Sequence, residues 1–386
     1  MADSVILRAR LITLVVAVYA SIHTVVHPAE TPARSTAFVP FIAYGASASS
    51  REIIAVRYDM NDGKLVPRIV QREAIDCEGA PVVFHPKHRL IYVASLRNRE
   101  GGQNQCVVFA VGPDGKLTRR SSVPFEHGSA YLSLDRSGRF LLSASYFDGD
   151  VDVYRLDAEG IPTDRVHHHH EGRDKAHAIL TTPDNRFGYV PYVKDQNALY
   201  QYRFDARTGK LTPLSPARAE LPDGIGPRHV AYHPSKPFVY FSNEQHLGVT
   251  SYRIGSDGGL TLVGVCHAGD LRSQPSVFSS DIAVTPDGRF VFVGVRGFGK
   301  GLPNYVARYR IKGDGSTEHL GNSPADAVPW GVHVSPCGGY LFVSAFEGGT
   351  LTAYRIGRAG ELSDPVAIDW GKQVRDTVFV MLKSVH

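Results

Sequence analysis

From residue 39 onward, the hydrophobic and polar positions of the chain recur with a period of about fifty residues. Each unit contains an apolar strand that ends in Pro or Asp, a turn, a second apolar strand, a third strand and, after a glycine-containing turn, a weaker fourth strand. The residues that end the first strands lie 48 to 52 residues apart and are Pro86, Asp135, Pro183, Pro234, Pro286 and Pro336. A repeat of this length with four strands is typical of a β-propeller, in which stacked blades cover one another's faces.

The turns before the fourth strands indicate how many blades the propeller has. They lie at residues 62–65, 114–117, 158–161, 208–211, 257–260, 313–316 and 359–362, which gives seven. The first unit starts with its second strand, Phe41–Ala46, and lacks a first strand. The apolar segment Thr377–Leu382 at the other end of the chain can supply it. We therefore predict an all-β, seven-bladed β-propeller in which the C-terminal strand closes the ring in the first blade and leaves no open edge.

Unusual side chains occur at equivalent positions of several units. Neighbouring strands of a blade are antiparallel, so the start of a first strand and the end of a second strand lie on the same rim of the ring. Counting six residues before and ten after each marker places polar and aromatic residues at these two positions. They are His177, Arg228, Glu244, Arg296, Trp330 and, after one extra residue in the third hairpin, Tyr146. His229 follows Arg228 directly. We predict that these side chains face one mouth of the central channel.

Two arginines, a histidine and a carboxylate at one opening suit the binding of an anion. The planar guanidinium of Arg matches a carboxylate or phosphate, and His and Glu move protons near neutral pH. A structural role is the alternative for each residue taken alone. Arg228 and Glu244 can form a structural ion pair, and His177 can cap a turn.

The first thirty residues differ from the repeat. Arg8 and Arg10 precede an apolar run from Leu11 to Ala20, which ends in small residues. This pattern predicts a secretory signal peptide at residues 1–30 and a mature propeller domain at 31–386, and therefore an exported protein, periplasmic or secreted. A retained membrane anchor, or an N-terminus that is apolar by chance in a cytoplasmic protein, are the alternatives. After cleavage we expect no stable membrane insertion.

Composition excludes several other classes of function. The net charge is only +4 and no block of Lys and Arg is present, so we expect no nucleic-acid partner. The four cysteines form no Cys-x-x-Cys pair, and the nucleophile elbow Gly-x-Ser-x-Gly of serine hydrolases is missing. The run His167–His170, in a predicted loop between the third and fourth blades, can bind a transition metal, but we interpret it as a solvated loop or an adventitious metal site. We predict no metal and no cofactor.

Several motifs resemble those of the seven-bladed propeller lactonase family, which includes the propeller type of 6-phosphogluconolactonase and the fungal 3-carboxy-cis,cis-muconate lactonizing enzyme. The resemblance extends from about residue 40 to the end of the chain. Its most specific carriers are Gly-Pro-Arg-His at 226–229 and Asn-Glu at 243–244, with Ala-His at 176–177, Ser-Tyr at 145–146, Asp-Ile at 281–282 and Arg-Gly at 296–297. The chain departs from the family pattern at Val295, at Trp330 and in the long loop 297–304.

The resemblance implies an active site made of His177, Arg228, Glu244 and Arg296. It also implies hydrolysis of a small anionic lactone without a metal. In this hypothesis Arg228 and Arg296 hold the anion, His177 and Glu244 act as acid and base, and Tyr146, His229 and Trp330 bind the substrate. The alternatives are a lactonizing enzyme (a cycloisomerase) that acts on a carboxylic acid, and a non-catalytic ligand-binding propeller. Glu126, His127, His333 and Glu347 are weaker candidates for the same channel. The oligomeric state is left open.

Overall fold

The structure is a computed structural model that describes residues 38–97, 102–269 and 274–382. The predicted signal segment, residues 1–30, lies outside the described residues. No helix in the described ranges is both long enough and apolar enough to cross a bilayer. The propeller forms the compact unit that begins at Val39.

Seven four-stranded antiparallel sheets form the blades. Blade 1 contains β1 (Phe41–Ser47), β2 (Glu52–Asn61) and β3 (Lys64–Ala74), and blade 2 contains β4 (Gly79–His85), β5 (Leu90–Ser95), β6 (Gln105–Val111) and β7 (Leu117–Pro124). Blade 3 contains β8 (Tyr131–Leu134), β9 (Phe140–Ala144), β10 (Asp150–Leu156) and β11 (Pro162–His170), and blade 4 contains β12 (Leu180–Thr181), β13 (Phe187–Tyr192), β14 (Ala198–Phe204) and β15 (Leu211–Arg218).

The remaining blades follow in the same order. Blade 5 contains β16 (Pro227–Tyr232), β17 (Phe238–Asn243), β18 (Gly248–Ile254) and β19 (Leu260–His267), and blade 6 contains β20 (Val277–Val284), β21 (Phe290–Gly297), β22 (Tyr305–Ile311) and β23 (Thr317–Pro324). Blade 7 contains β24 (Pro329–Val334), β25 (Tyr340–Ala345), β26 (Thr350–Ile356) and β27 (Leu362–Asp369), and β28 (Val378–Met381) returns to blade 1. A short 3-10 helix, Lys194–Gln196, precedes β14.

The C-terminal strand closes the ring. β28 pairs antiparallel with β1, with Phe41 opposite Met381 and Tyr44 opposite Val378. Aromatic rings then join blade 1 to blade 7, since the centroids of Tyr58 and Phe342 lie 5.0 Å apart. The predicted fold and the predicted closure are both confirmed.

The glycine-containing turns explain part of the repeat. A tyrosine on the second strand of one blade donates a hydrogen bond to a turn carbonyl of the next blade. The Tyr92 hydroxyl bonds the Gly160 carbonyl at 2.6 Å, and Tyr189 bonds Gly258 at 2.8 Å. Both glycines have positive φ values, 85° and 91°, a conformation that glycine adopts with little strain. These turns therefore lock neighbouring blades together.

Several innermost strands begin with a β-bulge. In β16, Pro227 lies opposite Asn243 and Val230 lies opposite Phe241, so three steps along β16 match two steps along β17. The extra residue lies at Arg228–His229. The register of β20 shifts in the same way between Ser279 and Ile282. A bulge re-aims side chains, so two consecutive residues can turn toward the channel.

Candidate functional site

The starts of the innermost strands and the ends of the second strands surround a cavity of about 260 Å³, here called the site cavity. All seven of the site residues predicted from the sequence line it: Tyr146, His177, Arg228, His229, Glu244, Arg296 and Trp330. They come from blades 3 to 7. The residues that the strand positions predicted to share one opening of the channel therefore do lie around one cavity.

Glu244 lies between two guanidinium groups at the centre of the cavity wall. Its Oε2 atom is 3.0 Å from Arg228 Nε and 3.5 Å from Arg296 Nη2, and none of the three side chains is more than 4% exposed. The Nη1 atoms of both arginines have no hydrogen-bond partner within the protein. Buried polar groups without partners are costly, so these atoms are prepared to bind a ligand.

Trp330 is the aromatic platform of this arrangement. The Cζ atom of Arg296 lies 3.8 Å from the centroid of the indole ring, and that of Arg228 lies 5.5 Å away. The ring of Phe346 packs on the indole at 4.7 Å. Such cation–π contacts hold a guanidinium in place without using its N–H donors. Trp330 therefore contacts the arginines directly, beyond its predicted role as a substrate-binding residue.

The electrostatics of the two arginines follow from their burial. Burial, together with the nearby charge of Arg228, lowers the pKa of Arg296 to about 9, although Glu244 acts in the opposite direction. Burial also lowers the pKa of Arg228, again against the effect of Glu244. At neutral pH Arg296 is still a cation, and both guanidinium groups lie beside the side chain of Glu244.

Two histidines lie beside the arginines. The ring centroids of His177 and His229 are 5.1 Å apart, and the ring of Tyr146 packs on His177 at 5.6 Å. Burial and the charge of Arg228 lower the pKa of His177 well below its usual value. The pKa of His229 is lowered by the same two causes, although Asp281 opposes them. Both imidazoles are therefore neutral at pH 7.

Asp281 holds His229 from the side away from the cavity. The distance from His229 Nδ1 to Asp281 Oδ1 is 2.7 Å, and the backbone N–H groups of Ile282 and Val332 donate to the same carboxylate at 2.8 and 2.9 Å. Burial opposes ionisation of Asp281, but His229 and these other partners outweigh it and keep its pKa below the usual range. The carboxylate fixes the proton on Nδ1 of His229. The Nε2 lone pair, which has no partner in the protein, is then available to the cavity.

Counting strand positions missed this support behind His229. Asp281 appeared in the sequence only as part of a family-like motif. His333 Nε2 lies 3.5 Å from Asp281 Oδ2 and 3.2 Å from Asp376 Oδ1, so His333 belongs to the same network. Lys194, from the short helix, and Asp376 also line the cavity. The bulge in β20, between Ser279 and Ile282, is the physical reason that the side chain of Asp281 points toward His229.

The other candidates lie elsewhere. Glu347 is exposed, and it is not among the residues that line the cavity. Glu126 and His127 contact residues of blade 3. The interpretation of His167–His170 as a loop is wrong, because these residues end β11, the outer strand of blade 3. A grouping of metal-ligand type, His127 with Asp152 and His168, lies there, away from the cavity lining.

Comparison with known proteins identifies the family. The sequence model of the family described as lactonase, 7-bladed beta-propeller, matches residues 40–375. The chain belongs to this lactonase family. Among curated relatives of this lactonase, the 6-phosphogluconolactonase of Cronobacter sakazakii is 29% identical over 328 residues, which cover 83% of the chain and 92% of the relative. The 6-phosphogluconolactonase of an Enterobacter species is 28% identical over 317 residues, with 81% and 90% covered.

A solved structure shows the same fold as this lactonase. The periplasmic gluconolactonase of Pseudomonas aeruginosa superposes with a TM-score of 0.78 at 21% identity, and the match covers 89% of this chain and 99% of the other. The expectation of a lactonase is therefore confirmed at the level of the family.

Proposed function

We propose that this lactonase hydrolyses a small anionic lactone in the site cavity, without a metal ion. The observation that carries the proposal is the convergence of two buried guanidinium groups and two neutral imidazoles on one cavity, each with ring or N–H atoms that lack partners in the protein. The names of the curated relatives support the substrate class. The size of the cavity suits a single small ring rather than a chain of sugars.

We assign to His229 the role of the general base that activates water for attack on the lactone carbonyl. Its Nε2 atom accepts a proton from the attacking water, and Asp281 stabilises the imidazolium that forms across the 2.7 Å contact. The carbonyl oxygen becomes an oxyanion. Arg228 and Arg296 face that charge with N–H groups that are already in place, so little reorganisation is needed as the charge develops.

Ring opening completes the reaction. The bond between the carbonyl carbon and the ring oxygen breaks, and the leaving oxygen receives the proton that His229 had taken. His177, 5.1 Å from His229 between ring centroids, is placed to donate a hydrogen bond to this oxygen. The product is a hydroxy acid, whose carboxyl group then loses a proton to solvent. Water and lactone are consumed one to one, and the enzyme returns to its starting state.

Glu244 takes a positioning role in this proposal. Its carboxylate contacts both guanidinium groups at 3.0 and 3.5 Å, so it fixes the directions of their remaining N–H donors. The sequence-based hypothesis gave Glu244 a share in acid–base chemistry. A Glu244→Gln variant separates the two roles, because the amide keeps the side-chain length and one acceptor oxygen for the guanidinium groups but cannot take a proton. A role as base predicts loss of the reaction, and a positioning role predicts a smaller loss of activity.

A panel of aldonolactones followed in a pH-stat tests the function. We expect ring opening of 6-phosphoglucono-δ-lactone, an anionic lactone, well above the spontaneous rate, and a loss of about 100-fold or more in Arg296→Lys, because one oxyanion donor is displaced. Glu318→Gln is the matched control. Glu318 forms an exposed ion pair with Arg310 at 3.4 Å on the outside of the same blade.

Two outcomes of that panel would count against hydrolysis. Equal rates of lactone hydrolysis in the wild type and in Arg296→Lys would show that the reaction does not take place in the site cavity. Loss of the ultraviolet absorbance of a carboxymuconate, without turnover of any lactone, would support the cycloisomerase alternative.

We also propose that the protein is exported. The basic and apolar pattern of residues 1–30 supports this, and so does the periplasmic origin given for the Pseudomonas aeruginosa gluconolactonase. Mass spectrometry of the protein recovered from the periplasm or culture medium provides the test. We expect a chain that lacks the N-terminal segment. An intact N-terminus in the cytoplasmic fraction would contradict export.

A further inference from the structure

A second polar cluster lies in blade 3, outside the site cavity. Asp150 and Asp152 project from the same face of β10, since residues two apart on a strand share a face. Across the strand pair, Asp150 lies opposite His170 and Asp152 lies opposite His168. The segment between β7 and β8 adds His127. The side chains of the four histidines therefore alternate between the two faces of β11, and only His168 and His170 lie on the face of the two aspartates.

The distances in this cluster are those of a ligand set. Asp152 lies 2.8 Å from His127 Nδ1 and 3.0 Å from His168 Nδ1. The Nε2 atoms of the same two rings lie 3.4 and 3.5 Å from Asp150, and His170 Nδ1 lies 3.1 Å from it. Ligands bound to zinc at about 2.0–2.2 Å in a tetrahedron lie roughly 3.3 Å from one another. Small side-chain adjustments would bring these atoms around one ion.

The charges of the cluster also favour a cation. The side chain of Asp152 is 2% exposed and that of Asp150 is 9% exposed, so both carboxylates are largely removed from water. Arg165 brings a permanent positive charge to the cluster, and its guanidinium group is shared between Asp152 at 3.2 Å and Glu126 at 2.6 Å. Two buried carboxylates and one exposed one therefore share a single guanidinium. An imidazole that binds a metal ion does so through a ring lone pair and adds no charge to the site.

We propose that this cluster is a binding site for a divalent transition-metal ion. The ligands are His127, Asp152 and His168, and Asp150 and His170 complete or support the coordination shell. Imidazole and carboxylate together suit zinc and its neighbours better than calcium or magnesium, which take oxygen ligands. The ion would tie the segment before β8 to the outer strands of blade 3. The site does not depend on the proposed lactone chemistry.

Zinc titration of the chelator-treated full chain, prepared without an affinity tag, tests the site. Isothermal titration calorimetry should show one zinc ion per chain, and zinc should raise the melting temperature. His168→Ala and His127→Ala should weaken zinc binding at least tenfold. Both histidines are partly exposed, so these variants are expected to fold.

The histidine run provides its own matched controls. His167 and His169 lie opposite Val153 and Val151, on the other face of the strand, and His169 Nε2 instead contacts Glu171 at 2.7 Å. His167→Ala and His169→Ala should leave zinc affinity within about twofold. Equal weakening by all four variants would mean binding by any histidine-rich segment. That result, or the lack of a one-to-one zinc signal, would overturn the proposal.

Discussion

The contact between Asp281 and His229 allows a sharp test of the base assignment. In Asp281→Asn the side chain keeps its shape, but the backbone N–H groups of Ile282 and Val332 donate to different oxygens of the carboxylate, so the single amide oxygen keeps only one of these two bonds. The charge opposite His229 Nδ1 is also lost. The amide also permits the wrong imidazole tautomer, in which Nε2 carries the proton and cannot act as a base.

The size of the effect follows from the contact itself. When His229 takes a proton from water, the 2.7 Å bond to Asp281 becomes a charge-assisted hydrogen bond. Such a bond contributes about 1.5–3 kcal/mol, and each 1.36 kcal/mol of barrier is tenfold in rate. Loss of this bond together with the wrong tautomer should lower kcat/KM about 100-fold. KM should change little, because Asp281 does not line the site cavity.

The pH profile distinguishes this role from a structural one. Asp281 acts to raise the pKa of His229 against burial and Arg228. Without it the pKa of the base falls further, so the acid limb of the kcat/KM profile should move to lower pH. Asp287→Asn is the control, since Asp287 is an exposed residue of the same blade. Full activity of Asp281→Asn with an unshifted acid limb would refute the assignment of His229 as the base.

Three further changes test the charges and the fold. Glu244→Gln leaves Arg228 and Arg296 uncompensated, and calorimetry should show a loss of about 3–5 kcal/mol in the free energy of unfolding, partly restored by an added aldonate; unchanged stability would contradict the buried ion pairs. Because the pKa of Arg296 is about 9, activity corrected for spontaneous hydrolysis should fall as the pH rises through that value, and a flat alkaline profile would argue against a role for Arg296. Gly258→Ala would place a Cβ atom 2.2 Å from the Phe187 ring at a φ of 91° and should cost about 2–4 kcal/mol in urea unfolding, whereas Gly63→Ala, with φ 72° and no neighbour within 4 Å, should cost only about 1–2; equal effects would show that the turn does not lock the blades.

The fold could be predicted from the sequence because each blade of the propeller carries the same sequence pattern. Pro and Asp at the ends of first strands, and glycine turns before fourth strands, recur at nearly constant spacing. The closing strand could be predicted since the first unit lacked a strand that Thr377–Leu382 could supply. Strand β28, Val378–Met381, now occupies that place.

Most residues that surround the site cavity could be predicted for the same reason. His177, Arg228 and Glu244 could be aligned by counting, because hairpins of similar length put equivalent positions at one end of each blade. The support behind His229 could not be found in this way. A strict alternation of side chains along β16 would turn Arg228 and His229 to opposite faces, and only the bulge at the start of that strand lets both line the cavity.

The histidine run shows a different limit. Composition suggested a polar loop at His167–His170, yet these residues form the end of an outer strand. Outer strands of a propeller carry polar side chains on both faces near the solvent, so hydropathy does not separate them from loops. The pairing with Asp150 and Asp152 depends on register between two strands, which the sequence does not display.

A crystal structure of the protein in complex with an aldonate, the hydroxy-acid product, would show whether the site cavity is the active site. We expect the carboxylate in the site cavity, within hydrogen-bond distance of Arg228 and Arg296, and the hydroxyl formed by ring opening near His177. An aldonate bound at another opening of the channel, or on the outer wall of the blades, would contradict this expectation.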